Sequence, residues 1–209
     1  AGYGVLGNAS SDCSQAESAL EDNWYDYSSL LARIFSAEYQ VVAISGRGVV
    51  RNYGDPSSQS SCPNCPMPHY FNKTCLTSDL GVPYDFPAFV PHAIVCNLGT
   101  NDVSGFADAH RTNFVRDYQE IISAYRALPT KPRVILWQPL APLYPEQKYY
   151  GQPVVKEVND LIRQVAAGGR VEMLDMSAPL SGHPGWFPDH LHPNADGAQR
   201  IAEATRDYL

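Results

Sequence analysis

Short apolar runs alternate along the chain with longer segments in which apolar residues recur every three or four positions. An uninterrupted apolar run of four to six residues predicts a buried strand, whereas three-and-four spacing predicts a helix with one apolar face. The predicted strands lie at residues 39–44, 93–97, 134–138 and 171–174. The predicted helices lie at residues 27–35, 113–128, 154–166 and 195–208, and Asn194 suits the N-cap of the last one.

Strands and helices that alternate in this way predict a parallel sheet covered by helices on both faces. We therefore predict one α/β domain over residues 1–209, a doubly wound three-layer α/β/α sandwich with a mainly parallel sheet of the flavodoxin-like type. Residues 54–91 interrupt the alternation, because they are rich in Ser, Pro and Cys and show no regular period. We interpret them as a surface insertion that could wall one side of a site.

Charge and composition narrow the class of protein. The formal net charge is −7 and Lys and Arg are not clustered, which argues against a nucleic-acid-binding protein. Charged residues make up 18% of the chain while Tyr reaches 13 and Pro 17, a mixture that suits a secreted protein with many loops. The sequence contains no run of 18 uncharged apolar residues, so it predicts no membrane-spanning segment.

The chain contains five cysteines. Cys96 belongs to a predicted buried strand, where a free thiol packs as a small apolar side chain. The remaining four can form two disulfides in any of three pairings, which the sequence leaves open: Cys13, Cys62, Cys65 and Cys75. A zinc site is the alternative, since tetrahedral zinc accepts three thiolates and one imidazole; its ligands would be Cys62, Cys65, His69 and Cys75.

Two sequons match the acceptor pattern for N-glycosylation, at Asn8 and at Asn72. Glycans of this kind and disulfides both form in the oxidising secretory pathway. Together, the sequons and the cysteines predict a secreted, extracellular glycoprotein.

Asp189 and His192 are three residues apart in a loop that leads into the last predicted helix. A carboxylate at this spacing can accept a hydrogen bond from Nδ1 of the imidazole, which leaves Nε2 to take a proton from a serine. The pair therefore predicts an acid and a base for nucleophilic catalysis. Two alternatives stay open from the residues alone. His192 could simply pack at the helix start, or a metal ion could be held by Asp189, His190 and His192, with His183 nearby.

Two further candidates each follow a predicted buried strand. Asn101 stands in a Gly-Thr-Asn-Asp segment, and Gly46 in a Ser-Gly-Arg-Gly segment. In a parallel sheet the carboxyl ends of the strands border the ligand crevice. There an Asn amide can donate to a developing oxyanion, and a glycine lets a backbone N–H approach the substrate closely. The alternatives are an Asx-turn at Asn101 and an ordinary tight turn at Gly46.

In their order and separations, three segments resemble three of the four conserved blocks of the SGNH hydrolases: Ser45-Gly46-Arg47-Gly48, Asn97-Leu98-Gly99-Thr100-Asn101-Asp102 and Asp189-His190-Leu191-His192-Pro193-Asn194. The longer stretch SGRGVVRNYGD, which starts at Ser45, resembles carbohydrate esterase family 2, a branch that removes acetyl groups from plant polysaccharides. The resemblance implies an SGNH hydrolase fold. It also implies that Asp189 and His192 act as acid and base, and that Asn101 and Gly46 donate to the oxyanion.

The fourth block of the family, Gly-Asp-Ser, carries the nucleophile and is absent from the sequence. Ala1-Gly2-Tyr3-Gly4 resembles the tail of that block. We therefore expect the serine and the first strand of the sheet just upstream of Ala1, on a separate cleaved peptide or on residues that precede this chain. Because that strand lies inside a doubly wound sheet, we expect poor folding without it.

The resemblance implies a secreted serine esterase that deacetylates a carbohydrate, in the manner of an acetylxylan esterase, through an acetyl-enzyme and without a metal or organic cofactor. Its substrate would be an acetylated polysaccharide or oligosaccharide. Candidate substrate contacts near the motifs are Trp186, Tyr144 and Arg51. One alternative is a catalytically inactive carbohydrate-binding or structural protein with the same fold. A lipase or thioesterase of the superfamily is another.

Overall fold

The computed structural model describes residues 21–55, 65–74, 82–104, 108–138, 152–169, 171–189 and 191–209. The chain divides into two compact units. The first contains the described residues of Ala1–Ser45 and Asp175–Leu209, and the second contains those of Gly46–Pro139 and Tyr149–Leu174. The prediction of one domain over the whole chain stays a prediction.

The second unit is built on a parallel sheet in the order β1-β2-β3. These strands are β1 at Ala93–Cys96, β2 at Arg133–Trp137 and β3 at Glu172–Leu174. In their register, Ile135 of β2 lies beside Val95 of β1 and beside Glu172 of β3. The central strand is buried over four of its five residues, which explains its continuous apolar run. Three of the four predicted strands and their parallel direction are thus confirmed.

Two long helices accompany this sheet and pack against each other, α2 at Asp108–Arg126 and α3 at Gln152–Gly169. Both were predicted, although each begins earlier than the apolar spacing indicated. Their buried side chains recur at three-and-four spacing, which places one apolar face of each helix in the core. These side chains are Phe114, Tyr118, Ile121, Ile122, Val158, Ile162 and Val165.

The first unit is helical, and α5 at Ala195–Tyr208 packs against α1 at Tyr27–Phe35 and the short α4 at Ser177–Leu180. Asp26 caps the start of α1 by accepting the backbone N–H of Ser28 at 3.3 Å. Ser36 closes that helix in the left-handed region, with φ of 50°. The predicted bounds of α1 and α5 are confirmed. No helix in the described part of the chain combines the length and apolar character that crossing a membrane requires.

Residues 39–44 do not form the predicted strand. This segment is not in a strand, and its side chains are exposed or half-buried. Tyr39, for example, is 46% exposed. An apolar run indicates that a segment could be buried. A strand also needs a neighbouring strand to hydrogen-bond with, and the run does not indicate whether one is present.

The predicted insertion at residues 54–91 contains more regular structure than its composition indicated. It includes 3₁₀ turns at Met67–His69 and Phe86–Ala88, and an antiparallel bridge pairs Lys73 with Pro83. Phe71 is buried and lies 6.0 Å from the ring of Tyr125 on α2, measured between ring centres. The described part of the insertion is therefore packed onto α2, within the second unit, by an aromatic contact.

Two of the five cysteines, Cys65 and Cys96, lie among the described residues. Cys96 is a buried free thiol, as predicted, and burial raises its pKa to about 12. Cys65 is disulfide-bonded. The other three cysteines, and with them the pairing, lie outside the described residues, so the pairing stays a prediction.

Candidate active site

Asp189 and His192, the predicted acid and base, are in contact in the first unit. Oδ2 of Asp189 lies 2.6 Å from Nδ1 of His192. Oδ1 of the same carboxylate accepts two backbone N–H groups, from Leu191 at 3.0 Å and from His192 at 2.7 Å. Asp189 thus holds both the imidazole and the backbone that carries it. Because Nδ1 is engaged, Nε2 is the nitrogen that can take a proton from a nucleophile.

Burial and hydrogen bonding act in opposite directions on Asp189. Its side chain is 7% exposed, whereas that of His192 is 29% exposed. Burial raises the pKa of the carboxyl. The hydrogen bond and charge of His192 and the two backbone amides together lower the pKa by more than burial raises it, so the net pKa lies below its usual value. Asp189 is therefore ionised at neutral pH and can stabilise an imidazolium.

The loop that carries His192 is anchored by Asn194, at the start of α5. Asn194 accepts the N–H of Gly197 at 3.1 Å, as an N-cap should, and its Nδ2 donates to the carbonyl of Gly185 at 2.8 Å. Its own N–H donates to the carbonyl of Trp186 at 2.9 Å. A Cβ on Gly197 would lie 2.7 Å from that same carbonyl oxygen. The helix start and the Pro184–Trp186 turn are therefore in direct backbone contact.

The predicted substrate contacts have different surroundings. The ring of Trp186 stacks on that of His183, with ring centres 3.9 Å apart and planes 11° apart. Arg51 donates from its guanidinium to the carbonyl of Asp55 in its own loop. Tyr144 lies outside the described residues. The roles of these three residues in substrate binding stay predictions.

The two predicted oxyanion donors belong to the second unit, and the structure links their loops. Asn101 follows the carboxyl end of β1 and opens the 3₁₀ turn at Asn101–Ser104. Its Nδ2 donates to the carbonyl of Arg47 at 2.9 Å. Gly46 has φ of 76°, a conformation that favours glycine, and its carbonyl accepts the N–H of Tyr53 at 2.8 Å. The Asn101 side chain thus reaches across to the loop of Gly46.

Asp102 is a site residue that reasoning from the sequence missed. Its side chain is fully buried, and its carboxylate accepts the backbone N–H groups of Val49 at 2.9 Å, Val50 at 2.8 Å and Arg51 at 3.1 Å. Burial raises the pKa of Asp102 to about 7, against the lowering effect of these amides. The Asp that directly follows Asn101 in the Gly-Thr-Asn-Asp segment was the available signal.

Gly48 makes this arrangement possible. A Cβ at position 48 would clash with the carbonyl oxygen of Arg51 and lie 2.5 Å from Oδ2 of Asp102. The backbone can therefore fold around the carboxylate only where the side chain is absent. The loop of Gly46 and the turn of Asn101 form one hydrogen-bonded assembly, which can present N–H donors to a developing negative charge.

None of the described residues forms a group of three or more His, Cys, Asp or Glu side chains that could hold a metal ion. The metal alternative at Asp189 also involved His190, which lies outside the described residues.

Comparison with known proteins reveals a family match over nearly the whole chain. The model of the GDSL-like Lipase/Acylhydrolase family matches residues 1–200. The chain is 36% identical over 108 residues to the cellulase/esterase CelE of Acetivibrio thermocellus, a match that covers 51% of this chain and 12% of that protein. It is 25% identical over 218 residues to the acetylxylan esterase / glucomannan deacetylase of Cellvibrio japonicus, covering 100% of this chain and 55% of that protein.

A solved structure of a family two carbohydrate esterase from Clostridium thermocellum, in complex with cellohexaose, is also similar. It has a TM-score of 0.74 and 23% identity, and the match covers 99% of this chain and 60% of that chain. The likeness confirms the predicted α/β fold, and the family match confirms the resemblance to the SGNH hydrolases, also called the GDSL family. The chain spans about half or less of the length of the curated relatives it matches.

Proposed function

Because the chain belongs to the GDSL-like lipase/acylhydrolase family, we propose that it carries the acid, base and oxyanion donors of a serine esterase that removes acetyl groups from a carbohydrate. The observation that carries the proposal is the 2.6 Å contact between Asp189 and His192, in a loop whose backbone the same carboxylate holds. The acetyl and carbohydrate parts are supported by relatives that are named acetylxylan esterase and glucomannan deacetylase.

The proposed reaction is acyl transfer in two steps. Nε2 of His192 takes the proton of the serine hydroxyl as the oxygen attacks the acetyl carbonyl carbon. The bond from that carbon to the sugar oxygen then breaks, and the sugar oxygen receives the proton from His192. Water attacks the acetyl carbon with His192 again as base, the bond from that carbon to the serine oxygen breaks, and the serine oxygen takes the proton from His192 as acetate leaves. Asp189 stabilises the imidazolium in both steps. In the family, the attacking serine belongs to the Gly-Asp-Ser block.

The negative charge of each tetrahedral intermediate is stabilised by N–H donors from Gly46 and Asn101. A side-chain amide carries two N–H bonds, and the bond of Asn101 to the Arg47 carbonyl fixes the plane in which both point. Asp102 fixes the loop on the other side of Gly48 through three backbone amides. Donors held in this way need little reorganisation as charge develops.

The proposal includes secretion and N-glycosylation. Asn72 is exposed, and Thr74 of the same sequon donates to the carbonyl of Pro83 at 3.0 Å. Cys65 is disulfide-bonded, which suits an oxidising compartment. Enzymatic deglycosylation of the protein from its native source should release a glycan from Asn72, detected by peptide mapping. An unmodified Asn72 in that material would remove this part of the proposal.

The proposal is tested by fluorophosphonate labelling of the full-length protein, followed by peptide mapping and by acetate release from acetylated xylan. We expect label on one serine, hydrolysis of acetyl esters before longer acyl esters, and a loss of roughly 10³-fold or more in kcat for His192→Ala. His92→Ala, which changes an exposed histidine, is the matched control and should retain activity. Sugar binding without label or hydrolysis would favour an inactive binding protein. Faster hydrolysis of longer acyl esters would favour a lipase or thioesterase.

A further inference from the structure

Three basic side chains gather around one buried tyrosine in the second unit. Tyr70 is 1% exposed. The guanidinium of Arg47 lies 5.6 Å from the centre of its ring, and the ammonium of Lys73 lies 5.4 Å from it. Nζ of Lys73 also lies 2.6 Å from Nε2 of His69, and because an ammonium only donates, Nε2 is the acceptor. Arg47, His69 and Lys73 are hereafter the basic cluster.

The basic cluster adjoins the predicted oxyanion donors. Arg47 directly follows Gly46, and its carbonyl accepts the side-chain N–H of Asn101 at 2.9 Å. The turn that carries His69 is tied to the same loop, because the N–H of Met67 donates to the carbonyl of Gly48 at 2.9 Å. One substrate molecule could therefore contact the basic cluster with one group while its ester carbonyl contacts Gly46 and Asn101.

The charge of the cluster is not balanced at Lys73. Among the described residues, no Asp or Glu forms an ion pair with Lys73, in a chain whose formal net charge is −7. Its ammonium is instead held by a neutral imidazole acceptor and an aromatic ring. A cation held in place by such contacts loses little conformational entropy when it meets an anion.

We propose that the basic cluster is a subsite for a carboxylate of the polysaccharide, that is, for a uronic acid side group close to the acetylated sugar. The inference rests on the proposed function, since the sugar that presents the carboxylate is the one whose acetyl ester is hydrolysed. Lys73 supplies the charge that an anionic sugar meets. Arg47 connects the subsite to the oxyanion loop.

The test compares two acetylated xylo-oligosaccharides of equal length and acetylation, one with a glucuronic acid side group and one without. For the full-length protein at low salt, we expect kcat/KM to be about five-fold higher for the acidic substrate, the scale of one partly exposed ion pair. The preference should disappear in about 1 M NaCl, because the charges are then screened. Lys73→Gln should remove the preference, and Lys73→Arg should keep it.

Lys156→Gln, which removes an exposed lysine from α3, is the matched control and should behave as wild type. Equal kcat/KM for the two substrates in the wild-type protein, or an unchanged preference in Lys73→Gln, would overturn the subsite. If neither substrate is hydrolysed, the proposed function fails. The subsite is then tested separately, by measuring binding of the polysaccharide. In affinity gels, retardation by glucuronic-acid-substituted xylan that Lys73→Gln abolishes would support it. Equal migration in substituted and unsubstituted xylan would overturn it.

Discussion

The carboxylate of Asp102 accepts the backbone N–H of Val50 at 2.8 Å, across 52 positions of the sequence. With the parallel bonds from Val49 and Arg51, it ties the loop that follows Gly46 to the turn that begins at Asn101. The two segments predicted to supply oxyanion donors are therefore held by one buried side chain. A change at Asp102 should reach both donors, although Asp102 itself need not touch the substrate.

Replacing Asp102 should destabilise the protein in proportion to the acceptors lost. Asp102→Ala leaves three N–H groups without their acceptor, and we expect a loss of about 3 kcal/mol or more in the free energy of unfolding. Asp102→Asn keeps one acceptor oxygen and should lose less. Urea denaturation measures both. Asp207→Asn, on an exposed side chain, is the control and should stay within about 0.5 kcal/mol of wild type. The same small change for Asp102→Ala would contradict the assigned role.

Gly48→Ala tests whether the loop must approach Asp102 this closely. The added Cβ would clash with the carbonyl of Arg51 and with the Asp102 carboxylate, so we expect a loss of about 2–3 kcal/mol in stability. Gly185→Ala is the matched control, because a Cβ there meets nothing within 4 Å. Thermal unfolding of the two variants should separate them clearly. Equal melting temperatures would show that the loop relaxes without cost.

Asn101→Ala tests the oxyanion role through kinetics. If the amide donates only to the charge that develops in the reaction, kcat should fall by roughly 10²–10³ while KM changes little. Initial rates on an acetyl ester give both constants. Asn23→Ala, on an exposed side chain, should leave them unchanged. A rise in KM with an unaltered kcat would instead indicate that Asn101 binds the ground state of the substrate.

The depressed pKa of Asp189 predicts a specific loss of stability in acid. Since the folded pKa lies below the unfolded value of about 3.9, the contribution is fully present above that value and is lost as pH falls through the folded pKa. The free energy of unfolding should therefore exceed that of Asp189→Asn by a constant amount above about pH 5, and this difference should shrink below about pH 4. Urea denaturation from pH 2 to 7 measures it. A difference independent of pH would contradict the pKa shift.

Asn194 has two functions that two variants separate. Asn194→Ala removes the cap of α5 and the bond to the Gly185 carbonyl, and should lose about 1–2 kcal/mol. Asn194→Asp keeps the cap acceptor but loses the N–H donor, so we expect a smaller loss. Chemical denaturation of the two variants provides the comparison. Equal losses would mean that the contact with Gly185, rather than the cap, holds the helix start.

Much of the fold could be predicted from local sequence patterns. The bounds of α1 and α5 follow from the three-and-four spacing and from caps at Asp26 and Asn194, which act within three residues of themselves. The buried run of β2 predicted a central parallel strand for the same reason. The contact between Asp189 and His192 was also within reach, because three residues of loop bring the two side chains together. Their catalytic roles, and those of Asn101 and Gly46, stay predictions.

By itself, then, the sequence determined the elements whose signals are contained in one segment: the four predicted helices, the three strands of the sheet and the contact between Asp189 and His192. The tertiary structure decided the contacts between segments. It placed Asp102 among the amides of Val49–Arg51, brought Arg47 and Lys73 to one ring, and left residues 39–44 outside the strands of the sheet. A periodic pattern records which face of an element is apolar. It does not record which distant backbone will supply the hydrogen bonds, because that depends on how all the elements pack together.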